Sequence, residues 1–458
     1  MSKQIIGFAA VVLAAGLAVM SGCATVAPRA VSGDVSPALP VIPVRTFNLT
    51  DYGGVGDGTT LNTEAFDKAV AAVAAAGGGH LVVPKGTYLT QPFALTSHMD
   101  LHLEDGSVIQ FPHDLTLYGL PADQRKMTRA QMNDFGKRVH SLISGHDLTD
   151  VSITGSGAID GAGSSWWSLG VKDSSGVPRT WFGNNRPKLI ILTNSQRLLF
   201  QGVTLRNSPM YNLAPTLCRD ITVEQVHIWA PGKPFDARPG TYDQAPNTDA
   251  IDPMACQNVL IRDCDLSVGD DNVAIKAIEG PCCNILVENC RCGLGHGISI
   301  GSETYQGIHN VTVRNCTFDG TQNGIRIKSS RDRGNDLYGF SFSNITMKNV
   351  TMALSINMYY MDRGGVARRR MLAVTPHTPM LHGVHIENVT VTNAKTAGEI
   401  IGLPESCVKD ITLTNVTISA QKGVTIRDAT QIVFRNVQVT AATGDPVTTT
   451  FAQLDWDR

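Results

Sequence analysis

The phrases Asn258-Val-Leu-Ile-Arg-Asp-Cys264, Asn284-Ile-Leu-Val-Glu-Asn-Cys290 and Asn310-Val-Thr-Val-Arg-Asn-Cys316 recur every 26 residues. Apolar and polar positions alternate within each phrase, which is a strand period inside a longer repeat. Short β runs at this interval, with no helix between them, predict an all-β fold: a right-handed parallel β-helix in which each repeat forms one coil. Coils stack at strand spacing, so equivalent residues lie about 4.8 Å apart along the axis. Similar phrases begin at Leu189, Leu198 and Ile221 before this stretch, and at Ile345, Val384, Ile411 and Ile432 after it. A solenoid grows in one dimension and escapes the size limit of a globular core, so residues 45–458 read as one domain.

The N-terminal residues read differently. Met1 to Cys23 carries one basic residue, Lys3, then an apolar run from Ile5 to Met20 and the tripeptide Ser21-Gly22-Cys23. The run is short and ends in small residues, as in a secretory signal rather than a membrane span. Cys23 after Ser-Gly resembles a bacterial lipoprotein cleavage site, with Met20 where that motif usually has Leu, and ordinary cleavage near Ala24 to Ala27 is the alternative. Residues 24–44, rich in Pro, Ala and Val, read as a tether. Asn62 is placed to cap a helix with Phe66, Ala69, Val70 and Val73 on one face, and Gly77-Gly78-Gly79 ends it. Such a helix would cover the open first coil.

Residues 112–140 and 163–188 interrupt the repeat, and long interruptions of a solenoid fall on one face as loops that shape a binding site. Trp166, Trp167 and Trp181 would stack on sugar rings or pack these loops onto the barrel. The Asn-Val-Thr triplets match a glycosylation sequon by accident, and their Asn residues belong at bends, stacked in hydrogen-bonded ladders. Of the ten cysteines, Cys264, Cys290 and Cys316 share one repeat position and read as small core residues. Cys218, Cys256, Cys282, Cys283, Cys290, Cys292 and Cys407 leave room for one or two disulfides. No metal is expected, because the spacing lacks paired CxxC motifs. No cofactor is expected either, since the Gly-x-Gly combinations lack the strand, phosphate loop and helix order of a dinucleotide fold.

Chemistry concentrates between Asn247 and Lys328. Asp270 and Asp271 are adjacent and Asp249 lies one coil earlier, so three carboxylates crowd a small patch, and with His296, Arg326 and Lys328 they line a strip about three coils, or roughly 14 Å, long. Like charges that close raise at least one pKa, which leaves one carboxyl protonated as an acid while another stays ionised as a base. That division of labour breaks a glycosidic bond. Acidic clusters also bind calcium or simply make turns, but His296 falls one coil on and Arg326 and Lys328 one further. Alternation along Ile325-Arg-Ile-Lys turns both cations outward and both isoleucines into the core. Cations beside carboxylates suit an acidic substrate. The net charge of −2 does not itself attract a polyanion, so the cations must be concentrated locally, at Arg326, Lys328, Arg331 and Arg333 and again at Arg363, Arg368, Arg369 and Arg370. Nucleic acid is disfavoured, since the domain is not basic and carries no nucleic-acid motif.

Asn247-Thr248-Asp249, Gly269-Asp270-Asp271, Gly295-His296-Gly297 and Arg326-Ile327-Lys328, in this order and spacing, resemble the signature motifs of the polygalacturonases, glycoside hydrolase family twenty-eight. The resemblance implies that Asp270 protonates the leaving oxygen, that Asp249 and Asp271 activate the attacking water, and that His296 maintains their protonation. It places Arg326 and Lys328 on the galacturonate carboxylate, with Asn247 among the binding residues. A family tyrosine falls at Tyr359 or Tyr360, and Lys276 is a further possible substrate contact. The implied activity is inverting hydrolysis of α-1,4-galacturonosyl bonds in polygalacturonate or pectin, an acidic plant polysaccharide. Endo or exo cleavage depends on whether the loops at 112–140, 163–188, 231–246 and 361–380 close one end of the groove. A calcium-dependent pectate lyase and a non-catalytic carbohydrate-binding β-helix are the alternatives. The protein is expected to be an exported monomer, periplasmic or held at the outer membrane by lipid on Cys23.

Overall fold

A computed structural model describes residues 34–167, 170–172, 178–180, 182–237, 244–362 and 365–457. The signal segment with Cys23, the first part of the tether, Trp181 and Arg363 lie outside the described residues. The rest is a right-handed parallel β-helix whose coils carry three strand faces. On the first face Gln257–Arg262, Cys282–Glu288 and Ile308–Arg314 pair in parallel, with Val259, Ile285 and Val311 in register. Asp265–Ser267, Arg291–Cys292 and Thr317–Asp319 make the second. Val273–Ile275, Ile298–Ile300, Asn323–Lys328 and Met352–Asn357 make the third.

Alternation sends one side chain of every pair inward. Val259, Ile261, Ile285, Val287, Val311 and Val313 are fully buried, and each contributes about 1.5–3 kcal/mol relative to an exposed position. Cys264, Cys290 and Cys316 fill the same core position on successive coils, as expected. The expected disulfides do not form: all nine described cysteines are free, and eight are buried. In the core a thiol serves as a small apolar group.

The corners explain the asparagines. Asn289, Asn315, Asn344, Asn388, Asn415 and Asn436 all have φ of 51–55°, a left-handed conformation that Asn tolerates better than most residues. An amide both donates and accepts, so each side chain donates to the one below, from Asn289 to Asp263 at 3.1 Å up to Asn436 to Asn415 at 2.8 Å. A second such column joins Asn310, Asn284, Asn258 and Asp220.

The helix Thr63–Ala75 packs Ala65, Phe66, Ala69 and Val73 on the first coils, with Phe66 stacked 4.6 Å from Phe93. Val70, expected on that face, is only partly buried. Asn62 occupies the N-cap position, but its side chain makes no cap bond and instead clamps Val55, Thr60 and Leu89 backbone groups. At the other end, amides of Gly77 and Gly78 return to Ala74 and Val73 carbonyls, a left-handed exit that Gly77, at φ 77°, permits.

The long interruptions leave the stack at two corners. Residues 112–140 and 163–188 follow a second-face strand and precede a third-face strand, 231–246 follow the second-face strand His227–Trp229 and precede the third-face bridge at Ile251, and 361–380 follow the third-face strand Met352–Asn357. The described parts of these segments therefore wall both edges of the third face, three segments on the first edge and one on the second. Trp166 lies inside this wall, fully buried against Tyr118, Phe135 and Phe182 at centroid distances of 5.3–5.8 Å. Of the two expectations for it, packing of the loops is the one realised.

Candidate active site

Asp249, Asp270, Asp271, His296, Arg326 and Lys328 meet on the third face. Parallel register places Ser299 beside Arg326 and Ile300 beside Ile327. Ile325 and Ile327 are buried in the core, so the neighbouring cations face outward, as alternation predicts. His296 is positioned by the glycines around it. A Cβ at Gly295 would lie 2.5 Å from Asn272 Oδ1, and one at Gly297 2.2 Å from the Asn323 carbonyl. The bare backbone lets His296 N–H reach the Asp270 carbonyl at 2.8 Å, and its Nδ1 lies 2.8 Å from Asp270 Oδ1.

Asp271 holds both cations. Lys328 Nζ lies 2.5 Å from Oδ2, while Arg326 donates to Oδ1 at 3.1 Å and the Ser299 hydroxyl donates to the same oxygen at 2.8 Å. Asn247 donates to Asp270 Oδ2 at 3.4 Å, and its own Oδ1 accepts from Arg186 at 2.8 Å. Arg186, 1% exposed, also binds the Pro209 and Pro246 carbonyls and so holds the turn at Asn247, whose φ is 59°. No sequence signal marked Arg186, because it reaches the site from an interruption rather than from a repeat position.

Beneath Asp249 lies a buried network. Lys276 Nζ sits 2.7 Å from Asp252 Oδ2, 3.3 Å from Asp249 Oδ2 and 4.3 Å from the centre of the Tyr211 ring. Lys276 is 5% exposed, held between two carboxylates and a ring face. Asp252, three residues after Asp249, and Tyr211 were missed. The carboxyl spacing was readable, but a Lys beneath it was not.

Burial and the neighbouring Asp252 push the Asp249 carboxyl well above the usual carboxylate range, against the pull of Lys276. Asp252 is pushed up to about 6, again by burial against Lys276. Burial also pushes on Asp270 and Asp271, but there the cations prevail. His296, Lys328 and Arg326 hold Asp270 below its ordinary value, and Lys328 and Arg326 do so for Asp271. Within the free site the carboxyl that burial pushes up is therefore Asp249, whereas the cations hold Asp270 down.

The cation cluster is smaller than expected. Arg331 is paired with Glu405 at 2.5 Å, Arg333 with Glu303 at 2.6 Å and Arg369 with Asp428 at 2.7 Å. Tyr360 lies 5.3 Å from the Arg326 guanidinium and 5.2 Å from Lys328 Nζ. Tyr359 is buried and covers Arg331 at 4.7 Å. A cleft of about 360 Å³ opens beside Arg326, Lys328 and Tyr360. Asp270, Asp271 and His296 also bring three potential metal ligands within 4.8 Å of one another. With Lys328 and Arg326 already on Asp271, a cation there would meet two like charges.

A β-helix with converging carboxylates beside a cationic cleft defines a hydrolase of acidic carbohydrate chains. The family model described as glycosyl hydrolases family 28 matches residues 79–443, and the chain belongs to that family. It is 33% identical over 389 residues to a probable polygalacturonase of Vitis vinifera, covering 82% of this chain and 74% of that one. It is 29% identical to an endo-polygalacturonase of Pectobacterium carotovorum subsp. carotovorum, covering 75% and 80%. Among solved structures it is similar to a hyperthermoactive exopolygalacturonase from Thermotoga maritima, with a TM-score of 0.69, 26% identity and coverage of 92% and 94%.

Proposed function

We propose that the chain hydrolyses α-1,4-galacturonosyl linkages of polygalacturonate by single displacement. The carrying observation is the convergence of Asp249, Asp270, Asp271 and His296 on adjacent coils next to the outward cations Arg326 and Lys328. Arg326 and Lys328, with Tyr360 against them, take the galacturonate carboxylate, and Asn247 orients Asp270. Asp270 protonates the leaving oxygen while Asp249 and Asp271 activate water on the opposite face of the ring. A bound carboxylate shares the charge of Arg326 and Lys328, which relaxes their hold on Asp270 and lets it take the proton it must donate. Polygalacturonate should yield reducing ends with the β-anomer first by proton NMR, unaffected by chelator and without ultraviolet-absorbing product. Unsaturated product lost in chelator would instead mark a lyase, and binding without cleavage a carbohydrate-binding β-helix.

The burial of Asp249 favours a second assignment, in which Asp249 is the acid and Asp270 with Asp271 the base. An aryl galacturonide with a good leaving group needs no acid, so the Asp→Asn variant that keeps activity on it identifies the proton donor. Monomer or a ladder of oligomers among the first products decides exo or endo action. The sequence of residues 1–23 further supports export with lipid on Cys23, and palmitate labelling abolished by Cys23→Ala tests it. Sedimentation tests the expected monomer.

A further inference from the structure

Register carries the third face beyond the cations. Arg326 pairs with Ser355 and Ser355 with Glu399, so these three occupy one outward column. Glu399 stands about 10 Å from Arg326 along the axis, two strand spacings on. Arg326, Lys328, Ser355, Asn357 and Glu399 line the same cleft. Among the described residues the partners of Glu399 are neutral: Asn357 Nδ2 donates to Oε1 at 2.9 Å, and the Ser355 hydroxyl lies 3.3 Å from it. The nearby cations are engaged elsewhere, Arg331 with Glu405 and Lys328 with Asp271. A half-buried carboxylate fixed by neutral donors keeps a negative potential at that end of the cleft, and a narrow cleft screens it poorly.

A galacturonan presents a carboxylate on every ring. One end of this cleft attracts such a group and the other repels it. We propose that the Glu399 end is a subsite for an uncharged ring, adjoining the subsite where Arg326 and Lys328 take a free carboxylate. The ring is either a methyl-esterified galacturonate or a neutral sugar. Ser355 and Asn357, between the two ends, offer hydrogen bonds that fit hydroxyls in either case. Glu399 then acts on specificity rather than on chemistry. This proposal rests on the hydrolase reading above and adds to it which ring is accepted next to the charged one.

The test compares kcat/KM on tetragalacturonides that are fully de-esterified, methyl-esterified at single known positions, or carry one neutral sugar in place of a galacturonate. The wild type should cleave one singly modified isomer at least tenfold better than the de-esterified parent. Glu399→Gln, which keeps an oxygen for Asn357, should remove that preference by raising activity on the parent. Preference for the ester alone identifies the esterified ring, and preference for the neutral sugar alone the other source. Equal kcat/KM on every isomer overturns the subsite while leaving the hydrolase reading intact, and failure to cleave any galacturonide overturns both. The wild-type ratio needs no variant, so misfolding of Glu399→Gln cannot mask the answer.

Discussion

At the corner that begins with Asp263, each coil adds an asparagine with the same left-handed backbone and the same amide bond to its neighbour. Along the third face the column from Ser299 through Arg326 and Ser355 to Glu399 changes charge at every step. Both columns are built on one parallel stack, so backbone geometry does not distinguish them. What differs is the task. A corner must be turned identically on every coil, and one side chain solves that problem each time. A site must present different groups at fixed separations, and the stack supplies the separations while each coil supplies its own group. Repetition therefore marks structure, and failure to repeat marks chemistry.

The sharpest contrast comes from substitution at the acids. Asp270→Asn should lower kcat on polygalacturonate by about 10²–10⁴-fold, the usual worth of a positioned acid, with circular dichroism and thermal midpoint unchanged. A variant that loses its midpoint together with its activity would make Asp270 a structural residue and erase the distinction. Beneath the site the two categories overlap. Lys276→Met leaves Asp249 and Asp252 without their buried counter-charge and should cost roughly 3–5 kcal/mol of stability as well as activity, which denaturant unfolding at neutral pH would show. The loss should shrink toward pH 4, because both carboxyls are already pushed up and take protons there when the lysine is gone.

Smaller effects follow at the cations and at the corner. Arg326→Ala removes one charge-assisted contact and should lower kcat/KM roughly ten- to a hundredfold, and fully methyl-esterified pectin should be a poor substrate for the wild type. The sign of its pH effect is fixed by Asp271, whose carboxyl Lys328 and Arg326 hold down against burial. Removing a positive neighbour disfavours the ionised form, so the acid limb of the kcat/KM profile should move to higher pH. An unmoved limb would mean that Arg326 does not govern the base. Asn315→Ala, at the corner, breaks bonds to Asn289 and Asn344 and should cost about 1 kcal/mol of stability with kcat/KM unaltered.

The same contrast explains what could be read without coordinates. The repeat at Asn258, Asn284 and Asn310 gave coil, register and the outward direction of Arg326 and Lys328, because a strand period dictates all three. The ordered motifs picked out the residues that converge on the third face. Lys276 was placed by its two repeat periods from Lys328, and repeat spacing does not show that Asp249 and Asp252 flank it. Arg186, Tyr211 and Glu399 were invisible for a related reason. Each depends on how many residues separate neighbouring coils, and that number is constant only where nothing has been inserted. Arg331, Arg333 and Arg369 looked like substrate cations because their partners Glu405, Glu303 and Asp428 are not adjacent in sequence.

Successive members of the corner column are 26, 26, 29, 44, 27 and 21 residues apart, yet the amide bonds continue unbroken through the step that contains residues 361–380. An insertion of this size does not rephase the strands on either side of it. The walls of the groove are thus modular: segments can be lengthened, shortened or exchanged between relatives while the acids and cations keep their spacing. Exchange of residues 361–380 for the corresponding segment of an endo- or exo-acting relative should move the cleavage pattern and leave the catalytic groups in register, because evolution and engineering act here on parts that the stack holds but does not measure.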